Sequence, residues 1–268
     1  MSAWRGQVVV LTGASLGIGA EVARTLAGQG ARLVLAARDA GRLQVVADAC
    51  RLVGAADVEA VPCDITDEAQ CRALIGHAMA RFGRIDTLIC NAGQAMWARA
   101  EDVADWGVFE QLIRVNYLGA AYCALAALPH VKATKGRLVA IASLAGKTGV
   151  PMRTGYAAAK AALIGFFDSL RIELAETGVS VTIVCPGFVG TGGRERNFGA
   201  DGKVLGKSPV DESAMMTVAE CTRQLLDAAE RRDRELVMTA RARVGLWLKL
   251  LLPSFVDRMA AKAMSRGR

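Results

Sequence analysis

The stretch Thr12-Gly13-Ala14-Ser15-Leu16-Gly17-Ile18-Gly19 decides the fold of this chain. It follows the apolar run Gln7–Thr12, which predicts a buried strand, and it opens a helical pattern over Gly17–Gly28. The glycines allow a tight turn that brings backbone close to a pyrophosphate, and the N-terminus of the helix offers unpaired N–H groups to that anion. The stretch therefore predicts a dinucleotide-binding site at the start of a β-α-β unit.

The same residues also satisfy Gly-x-Ser-x-Gly, the turn that presents the catalytic serine of α/β-hydrolases. That chemistry requires a histidine late in the chain, after the serine and the acid. Only His77 and His130 are present, and His130 comes directly after Pro129 at a predicted helix end. We therefore favour nucleotide binding over a hydrolase site, while a plain strand-to-helix turn stays an alternative for the glycines taken alone.

Short apolar runs alternate with longer segments of helical period along the rest of the chain. The other predicted strands are Arg32–Ala37, Val58–Pro62, Thr87–Cys90, Arg137–Ile141, Ser180–Cys185 and Glu235–Met238. The other predicted helices are Asp39–Leu52, Asp67–Phe82, Asp105–Leu128, Thr154–Leu174 and Asp211–Ala229. Most strands are apolar on both faces, which is typical of a parallel sheet covered by helices on both sides. The predicted fold class is α/β, a doubly wound Rossmann sheet of about seven strands.

Composition limits the domain organisation and the class of partner. The chain has 268 residues, 53% of them hydrophobic, which is enough apolar material for one α/β domain. We expect a catalytic domain over 1–240 and a basic extension over 241–268. The extension supplies +6 of the net charge of +7. The sequence has no helix-turn-helix or stacking-aromatic pattern, so we expect no nucleic-acid partner.

The cysteine, histidine and apolar patterns predict the compartment. The seven cysteines are scattered without a C-x-x-C pair, which predicts buried free thiols in a reducing compartment. Neither histidine has a nearby ligand set, so we expect no metal site. No apolar run is long enough to span a bilayer, and no signal segment precedes the first strand. We expect a cytoplasmic protein without a membrane-spanning anchor.

Two segments outside the regular alternation predict further roles. Residues 187–209 are glycine-rich and polar without a period, and a loop of this length is commonly functional, so we expect a lid over the substrate site. The extension predicts an amphipathic helix interrupted at Pro253. Its apolar side would hold Leu246, Trp247, Leu250, Leu251, Phe255, Val256 and Met259. This pattern favours peripheral contact with an anionic membrane, a cover over the pocket, or packing between subunits.

Tyr156 and Lys160 predict a pair that handles protons. They are four residues apart on a predicted helix, so their side chains share one face. A phenol has a usual pKa of about 10, and a nearby ammonium favours the phenolate and lowers that pKa. The phenol can then exchange a proton with a carbonyl or alcohol oxygen. Ser143 follows the fifth strand, where its hydroxyl can stabilise charge on that oxygen. Alone, each of these residues is more commonly structural.

In order along the chain, these motifs resemble the short-chain dehydrogenase/reductase family. The match spans residues 7 to about 238. Its motifs after the glycine turn are Asp64-Ile65, Asn91-Ala92-Gly93, Asn116, Ser143, Tyr156-x-x-x-Lys160 and Pro186-Gly187-Phe188-Val189-Gly190-Thr191. The resemblance implies an enzyme that moves a hydride between a nicotinamide cofactor and a small-molecule carbonyl or alcohol. A nucleotide sensor or membrane-surface scaffold with weak activity is the alternative.

The resemblance also implies residue roles. The catalytic residues would be Asn116, Ser143, Tyr156 and Lys160, with Asn116 positioning a water that relays protons to Lys160. The cofactor-binding residues would be Thr12, Gly13, Ser15, Leu16, Gly17, Ile18, Gly19, Arg38, Asp64, Ile65, Asn91, Ala92, Gly93, Tyr156, Lys160, Pro186, Gly187, Val189 and Thr191. Among these, Asp64 would bind the adenine and Lys160 the nicotinamide ribose. Residues 91–93 would line the adenosine ribose, and residues 186–191 would hold the carboxamide.

The end of the second strand bears on the choice between NAD and NADP. An acid there suits a ribose 2′-hydroxyl, whereas an arginine suits a 2′-phosphate. The position of the acid is Ala37 here, and Arg38 follows it. Asp39 is either a ligand of the nucleotide or the N-cap of the next helix. Leu16 replaces the basic residue usual in the family's glycine turn. The sequence favours NADP(H) over NAD(H).

The substrate side resembles the branch that contains 11β-hydroxysteroid dehydrogenase-like reductases. The motifs are Ser143-Leu144-Ala145-Gly146-Lys147, Pro151-Met152 and Gly165-Phe166-Phe167. This resemblance implies NADPH-dependent reduction of a bulky lipophilic ketone. The predicted substrate-binding residues are Ser143, Leu144, Met152, Tyr156 and Phe188. No arginine is evidently placed to hold a substrate carboxylate, although Arg153 and Arg194 are able to do so.

Assembly is a further implication of the resemblance. Family members pair through the helices that correspond to Asp105–Leu128 and Thr154–Leu174. Apolar residues on the second helix predict a patch that needs a partner. They are Leu163, Phe166, Phe167 and Leu170. We therefore expect a homodimer or homotetramer.

Overall fold

A parallel sheet of seven strands forms the centre of the molecule. A computed structural model of the chain describes residues 2–55, 57–210, 212 and 215–265. Its strands are β1 (Val8–Thr12), β2 (Arg32–Ala37), β3 (Val58–Pro62), β4 (Thr87–Cys90), β5 (Arg137–Ile141), β6 (Ser180–Cys185) and β7 (Glu235–Val237). They lie in the order β3-β2-β1-β4-β5-β6-β7, and all neighbouring pairs are parallel. This arrangement confirms the predicted doubly wound sheet.

Helices cover both faces of the sheet. They are α1 (Gly17–Gly28), α2 (Ala40–Leu52), α3 (Glu68–Phe82), α4 (Gly107–Ile113), α5 (Gly119–Ala133), α6 (Thr154–Glu173), α7 (Val218–Glu230), α8 (Ala240–Leu251) and α9 (Pro253–Ser265). One apolar core lies between the sheet and α3, α5 and α6, and a second lies between the sheet and α1, α2 and α7. Val10 enters the first core, whereas its neighbours Val9 and Leu11 enter the second. Successive residues are therefore apolar because both faces of the strand are buried.

Two predicted helices differ from the structure. The predicted helix Asp105–Leu128 is divided into α4, a π-helical turn over Arg114–Leu118, and α5, which continues to Ala133. The predicted helix Asp211–Ala229 begins only at Val218. The Thr217 hydroxyl caps it by accepting a hydrogen bond from the Glu220 amide at 3.1 Å. Residues 211, 213 and 214 lie outside the described residues, and residues 215–217 are not helical.

The prediction of an apolar patch on α6 that needs a partner is wrong. Leu163, Phe167 and Leu170 are buried in the core of the same chain. Phe166 is half-buried and packs edge-on against Tyr117, with ring centres 6.0 Å apart. The helical spacing places all four residues on one side of α6. The spacing alone does not reveal that α5 and the sheet already cover that side.

All seven cysteines are free and buried, as the sequence predicts. Burial raises the pKa of the Cys50 thiol to about 11. It raises the pKa values of Cys90, Cys185 and Cys221 to about 12. These thiols are therefore protonated packing groups at neutral pH.

Candidate active site

A cavity of about 770 Å³ lies at the carboxyl edge of the sheet. Most of the residues predicted from the sequence line it. They are Gly13, Ser15, Leu16, Gly17, Ile18, Arg38, Asp64, Ile65, Asn91, Ala92, Gly93, Asn116, Ser143, Tyr156, Lys160, Pro186, Gly187, Phe188, Val189 and Thr191. In open α/β sheets this edge is where ligands bind. The sequence motifs, which are spread over nearly 180 residues of numbering, thus meet at one site.

Thr12 and Gly19 were predicted to bind cofactor, but they lie behind the cavity wall. The Thr12 hydroxyl accepts hydrogen bonds from the backbone amides of Asn91 at 3.1 Å and Ala92 at 3.2 Å, which ties β1 to the loop after β4. A Cβ atom at Gly19 would stand 2.1 Å from the Gly13 carbonyl oxygen. Both residues therefore shape the glycine turn.

Leu144 and Met152, predicted to contact substrate, also lie outside the residues that line the cavity. Leu144 packs against the core, and its amide donates to the Pro186 carbonyl at 2.9 Å. The Met152 carbonyl accepts from the Ala98 amide at 3.0 Å, and its φ of 66° marks a tight bend before α6. These two residues position the loops around the site.

The glycine turn leaves the start of α1 open. Gly13 and Gly17 have φ values of 66° and 54°, a backbone conformation that favours glycine. Among the residues that the structure describes, no side chain caps α1, whose N-cap position is Leu16, and the first turn of α1 carries no acid. Its first amides and the positive end of the helix dipole are therefore available to a phosphate.

Two arginines line the cavity beyond the end of β2: Arg38 directly follows the strand, and Arg42 lies in the first turn of α2. Asp39 caps α2, because its carboxylate accepts from the Arg42 amide at 3.0 Å and pairs with the Arg42 guanidinium at 3.3 Å. Of the two alternatives for Asp39, the structure supports the N-cap. Arg42 lines the cavity together with Arg38. Arg42 was not among the residues predicted from the sequence, although its place three residues after the N-cap Asp39 could have indicated it.

Asp64 is held on the opposite part of the wall by local hydrogen bonds. One carboxylate oxygen accepts from the Thr66 amide and from the Thr66 hydroxyl, each at 2.9 Å. The Asp64 amide donates to the Gln70 side chain at 2.9 Å. Asn91 is also fixed, since its side-chain amide donates to the carbonyls of Thr12 and Gly13 at 3.1 and 3.0 Å.

Lys160 is a buried cation in the floor of the site. It is 3% exposed, and its ammonium donates to the Ile141 carbonyl at 2.7 Å. Burial lowers the pKa of Lys160 to about 8. The ammonium nitrogen lies 5.9 Å from the centre of the Tyr156 ring. Asn116, within the π-helical turn, donates to the Gln94 carbonyl at 2.7 Å and so braces the loop after β4.

Tyr156 is subject to opposing influences on its pKa. Burial is the largest and raises the pKa, while a hydrogen bond with Ser143 and the charges of Arg153 and Arg194 lower it. The net direction is upward, so the phenol is a protonated donor at neutral pH. The predicted lowering of this pKa by Lys160 is therefore wrong for the cofactor-free protein: burial outweighs the lowering influences, which come from Ser143, Arg153 and Arg194.

Arg153 is the most unusual of these neighbours. It is 8% exposed and lines the cavity. Its guanidinium carbon lies 4.9 Å from the ring centres of Trp97 and Phe188 and 5.8 Å from that of Tyr156. Arg194 also approaches Phe188, at 5.5 Å, but it pairs with Glu212 at 2.9 Å.

The segment predicted as a lid, residues 187–209, contributes much of the cavity wall. It is tied to the loop after β4. The Phe198 amide donates to the Ala95 carbonyl at 2.9 Å, and the Phe198 carbonyl accepts from the Trp97 amide at 2.8 Å. The Gln94 side chain donates to the Arg196 carbonyl at 2.8 Å. These bonds hold the segment against the substrate side of the site.

Comparison with known proteins gives consistent matches over most of the chain. A sequence model of the family described as short chain dehydrogenase matches residues 7–200. The chain is 38% identical over 251 residues to 11-beta-hydroxysteroid dehydrogenase-like 4A of Arabidopsis thaliana, which covers 94% of this chain and 82% of that protein. It is 30% identical over 269 residues to Dehydrogenase/reductase SDR family protein 7-like of Dictyostelium discoideum. This alignment covers 98% of this chain and 84% of that protein.

A solved structure shares the fold. It is a short chain dehydrogenase/reductase from Burkholderia phymatum in complex with NAD, with a TM-score of 0.83 and 24% identity. The superposition covers 95% of this chain and 96% of that chain. The cavity described above lies at the edge of a sheet that is thus common to both proteins.

Proposed function

The chain belongs to the short-chain dehydrogenase family of oxidoreductases, and on that premise we propose that it interconverts a ketone or aldehyde and an alcohol with NAD(P)(H). The observation that carries the proposal is the meeting of Ser143, Tyr156 and Lys160 on the wall of one cavity with the open N-terminus of α1. The cavity can thus accept a dinucleotide and a small substrate together.

In this mechanism the protein supplies the proton and orients the substrate. A nicotinamide dinucleotide supplies or accepts the hydride when it is bound. Tyr156, protonated at neutral pH, donates its proton to the carbonyl oxygen during reduction and accepts it from the alcohol in the reverse direction. The Ser143 hydroxyl donates a hydrogen bond to the same oxygen and stabilises its developing charge.

Lys160 and Asn116 support the proton donor. Lys160, with a pKa of about 8, is able to exchange protons near neutral pH. Its ammonium also favours the tyrosinate that forms when Tyr156 gives up its proton. Asn116 holds the loop after β4 against α4. In this proposal it also positions a water that relays protons to Lys160, the role that the family resemblance implies.

The substrate class in this proposal is a lipophilic carbonyl compound. The relatives named 11-beta-hydroxysteroid dehydrogenase-like support it. So do the apolar and aromatic groups on the substrate side, Ala95, Ala142, Phe188 and Val204. A panel of steroid, aryl and alkyl ketones and alcohols, followed by nicotinamide absorbance, tests the proposal. Tight nucleotide binding without turnover of any compound would favour the sensor or scaffold instead.

We also propose that NADP(H) is the preferred cofactor. Arg38 and Arg42 both line the cavity beyond β2, and Ala37 occupies the place where an acid would repel a phosphate. Asp39 also lines the cavity, but its carboxylate caps α2 and is paired with the Arg42 guanidinium, so part of its charge is already neutralised.

Replacing Arg38 by Ala is expected to weaken NADPH binding by about 1.5–3 kcal/mol, because a charge-assisted hydrogen bond to the 2′-phosphate is lost. NADH, which lacks that phosphate, should lose far less. Dissociation constants from the quenching of protein fluorescence measure both. Arg24→Ala on the outer face of α1, where Arg24 pairs with Glu21, is the control. An equal loss for NADPH and NADH would refute this role of Arg38.

We propose a homodimer or homotetramer built on α5 and α6. The helical stretch Gly107–Ala133 has a mean hydropathy of 1.3 in its most apolar window, and only half of that window is buried. Leu125 on α5 and Ile172 on α6 are 53% and 73% exposed. These residues replace the predicted patch as the apolar surface that a second subunit would cover.

The extension forms two helices, α8 and α9, that contact each other. Leu246, one of the residues predicted on the apolar side of the extension, is partly buried against the core. Trp247 and Leu251 are 73% and 80% exposed. Val244, Leu250, Leu252, Phe255 and Met259 are exposed as well. We propose a cytoplasmic protein that contacts an anionic membrane surface peripherally. These exposed side chains, with the basic residues around them, support the membrane contact.

Full-length protein is therefore expected to float with phosphatidylserine-containing vesicles at low salt and to stay soluble with phosphatidylcholine vesicles. The double variant Trp247→Glu, Leu251→Glu should abolish flotation, since two charges oppose burial in the lipid interface. Leu52→Glu, on the exposed face of α2, is the control. If flotation never occurs and the double variant lowers the mass measured by light scattering, the extension packs between subunits instead.

A further inference from the structure

Arg153 is a buried cation on the wall of the cavity. It is 8% exposed, and no carboxylate pairs with it among residues 2–55, 57–210, 212 and 215–265. Its Nε atom is buried and has no hydrogen-bond partner. A guanidinium stays protonated in proteins, and a buried charge without a partner is costly. The group therefore has hydrogen-bonding capacity that the described part of the chain does not use.

Three aromatic rings orient this guanidinium. Trp97 comes from the loop after β4, Tyr156 from α6, and Phe188 from the segment after β6. Stacking against rings offsets part of the cost of burial, but rings cannot accept the in-plane hydrogen bonds of the guanidinium fork. The rings thus hold Arg153 in place while its donors stay free for a ligand in the cavity.

The two buried arginines that line the cavity differ in whether a carboxylate compensates their charge. Arg194 is matched by Glu212, and its other terminal nitrogen donates to the Val189 carbonyl at 3.0 Å. Within the part of the chain that the structure describes, no carboxylate matches Arg153 in this way. One uncompensated guanidinium suits a ligand with one negative charge. A carboxylate carries one at neutral pH, whereas a phosphate monoester carries nearly two.

We propose that Arg153 binds a carboxylate of the substrate, so that this enzyme acts on oxo acids and hydroxy acids with an apolar body. The proposal rests on the proposed function and narrows its substrate class. During reduction the carbonyl carbon gains the hydride of NADPH and the carbonyl oxygen gains the proton of Tyr156, which leaves NADP⁺ and a hydroxy acid. The carboxylate itself is unchanged and serves to orient the carbonyl toward Tyr156.

Matched acids and esters test this proposal. Phenylglyoxylate, benzoylacetate and 3-benzoylpropionate place the carbonyl at increasing distance from the carboxylate, and each has a methyl ester of similar shape. With NADPH, kcat/KM of the wild-type enzyme should be at least about tenfold higher for one acid than for its ester. In Arg153→Met, which keeps an apolar stem between the rings, this acid-to-ester ratio should fall at least about tenfold.

Arg137→Met is the matched control. Arg137 is also 8% exposed and stacks on a ring, that of Trp4 at 5.0 Å, but it lies at the amino end of β5, away from the cavity. Its variant should keep the wild-type ratio. If Arg153→Met does not fold, Arg153→Lys keeps the charge but loses the fork, and its ratio should still fall. A wild-type preference for the esters, or an unchanged ratio in the Arg153 variants, would overturn the proposal.

A binding measurement separates this proposal from the proposed function. Calorimetry of the enzyme saturated with NADPH should show binding of 3-phenylpropionate but weaker binding of 3-phenylpropionamide, and Arg153→Met should remove the difference. If no carbonyl compound is reduced but this difference is found, the proposed reaction fails while the carboxylate site stands. If the acid and amide bind equally well, the carboxylate site is refuted whatever the enzyme reduces.

Discussion

Tyr156→Phe should lower kcat by about 10²–10⁴-fold, the range expected when a general acid–base group is removed. Phe preserves the ring that packs beside Arg153 and removes only the hydroxyl that donates the proton. The dissociation constant for NADPH should change little, because the glycine turn and the start of α1 are untouched. Steady-state kinetics and fluorescence titration measure the two quantities.

Tyr122→Phe is the control for this variant. Tyr122 is half-buried against the core on α5 and does not line the cavity. The loss of its hydroxyl should leave kcat near the wild-type value. If Tyr156→Phe retains more than about a tenth of the wild-type kcat, Tyr156 is not the proton donor.

Lys160→Met should both impair catalysis and stabilise the cofactor-free protein. Burial lowers the pKa of Lys160 from its usual 10.5 to about 8. Between these values the unfolded chain binds more protons than the folded one, so the free energy of unfolding rises with pH across that window. Below pH 8 the full cost of burying the charge is present. At pH 7 its removal should add about 3 kcal/mol to the free energy of unfolding, less the value of the bond to Ile141.

Urea denaturation at several pH values tests this expectation. The wild-type protein should gain stability between pH 8 and 10 from Lys160, and Lys160→Met should lack that part of the gain. Lys132→Met, at an exposed position on α5, is the control and should follow the wild-type curve. A Lys160→Met protein less stable than wild type at pH 7 would mean that the bond to the Ile141 carbonyl outweighs the cost of burial.

The sheet could be predicted from local pattern because a strand buried on both faces leaves an unbroken apolar run. Val8–Thr12 and Arg137–Ile141 are examples, and the predicted and observed ends differ by at most one residue. The glycine turn could also be predicted from the sequence, since the positive φ angles at Gly13 and Gly17 favour glycine at these positions. Parallel topology then brought the strand ends, and with them Ser143 and Tyr156, to one edge.

The remaining features depend on neighbours that a linear pattern does not reveal. Helical period marks Leu163 and Phe167 as apolar, but only the packing of α6 on the sheet shows that they are covered. The π-helical turn at Arg114–Leu118 cannot be recognised from the spacing of apolar residues in the sequence. Arg153 carried no motif; its importance comes from rings contributed by three separate segments.

The burial of every cysteine has a practical consequence for labelling this protein. A maleimide added to the native enzyme encounters thiols that are buried in the two cores, so the rate at which those thiols are modified reports how often the structure opens. A cysteine introduced at Val45, on the exposed face of α2, would then be the fast-reacting thiol. A fluorophore or a surface tether could be attached there without first removing any natural cysteine.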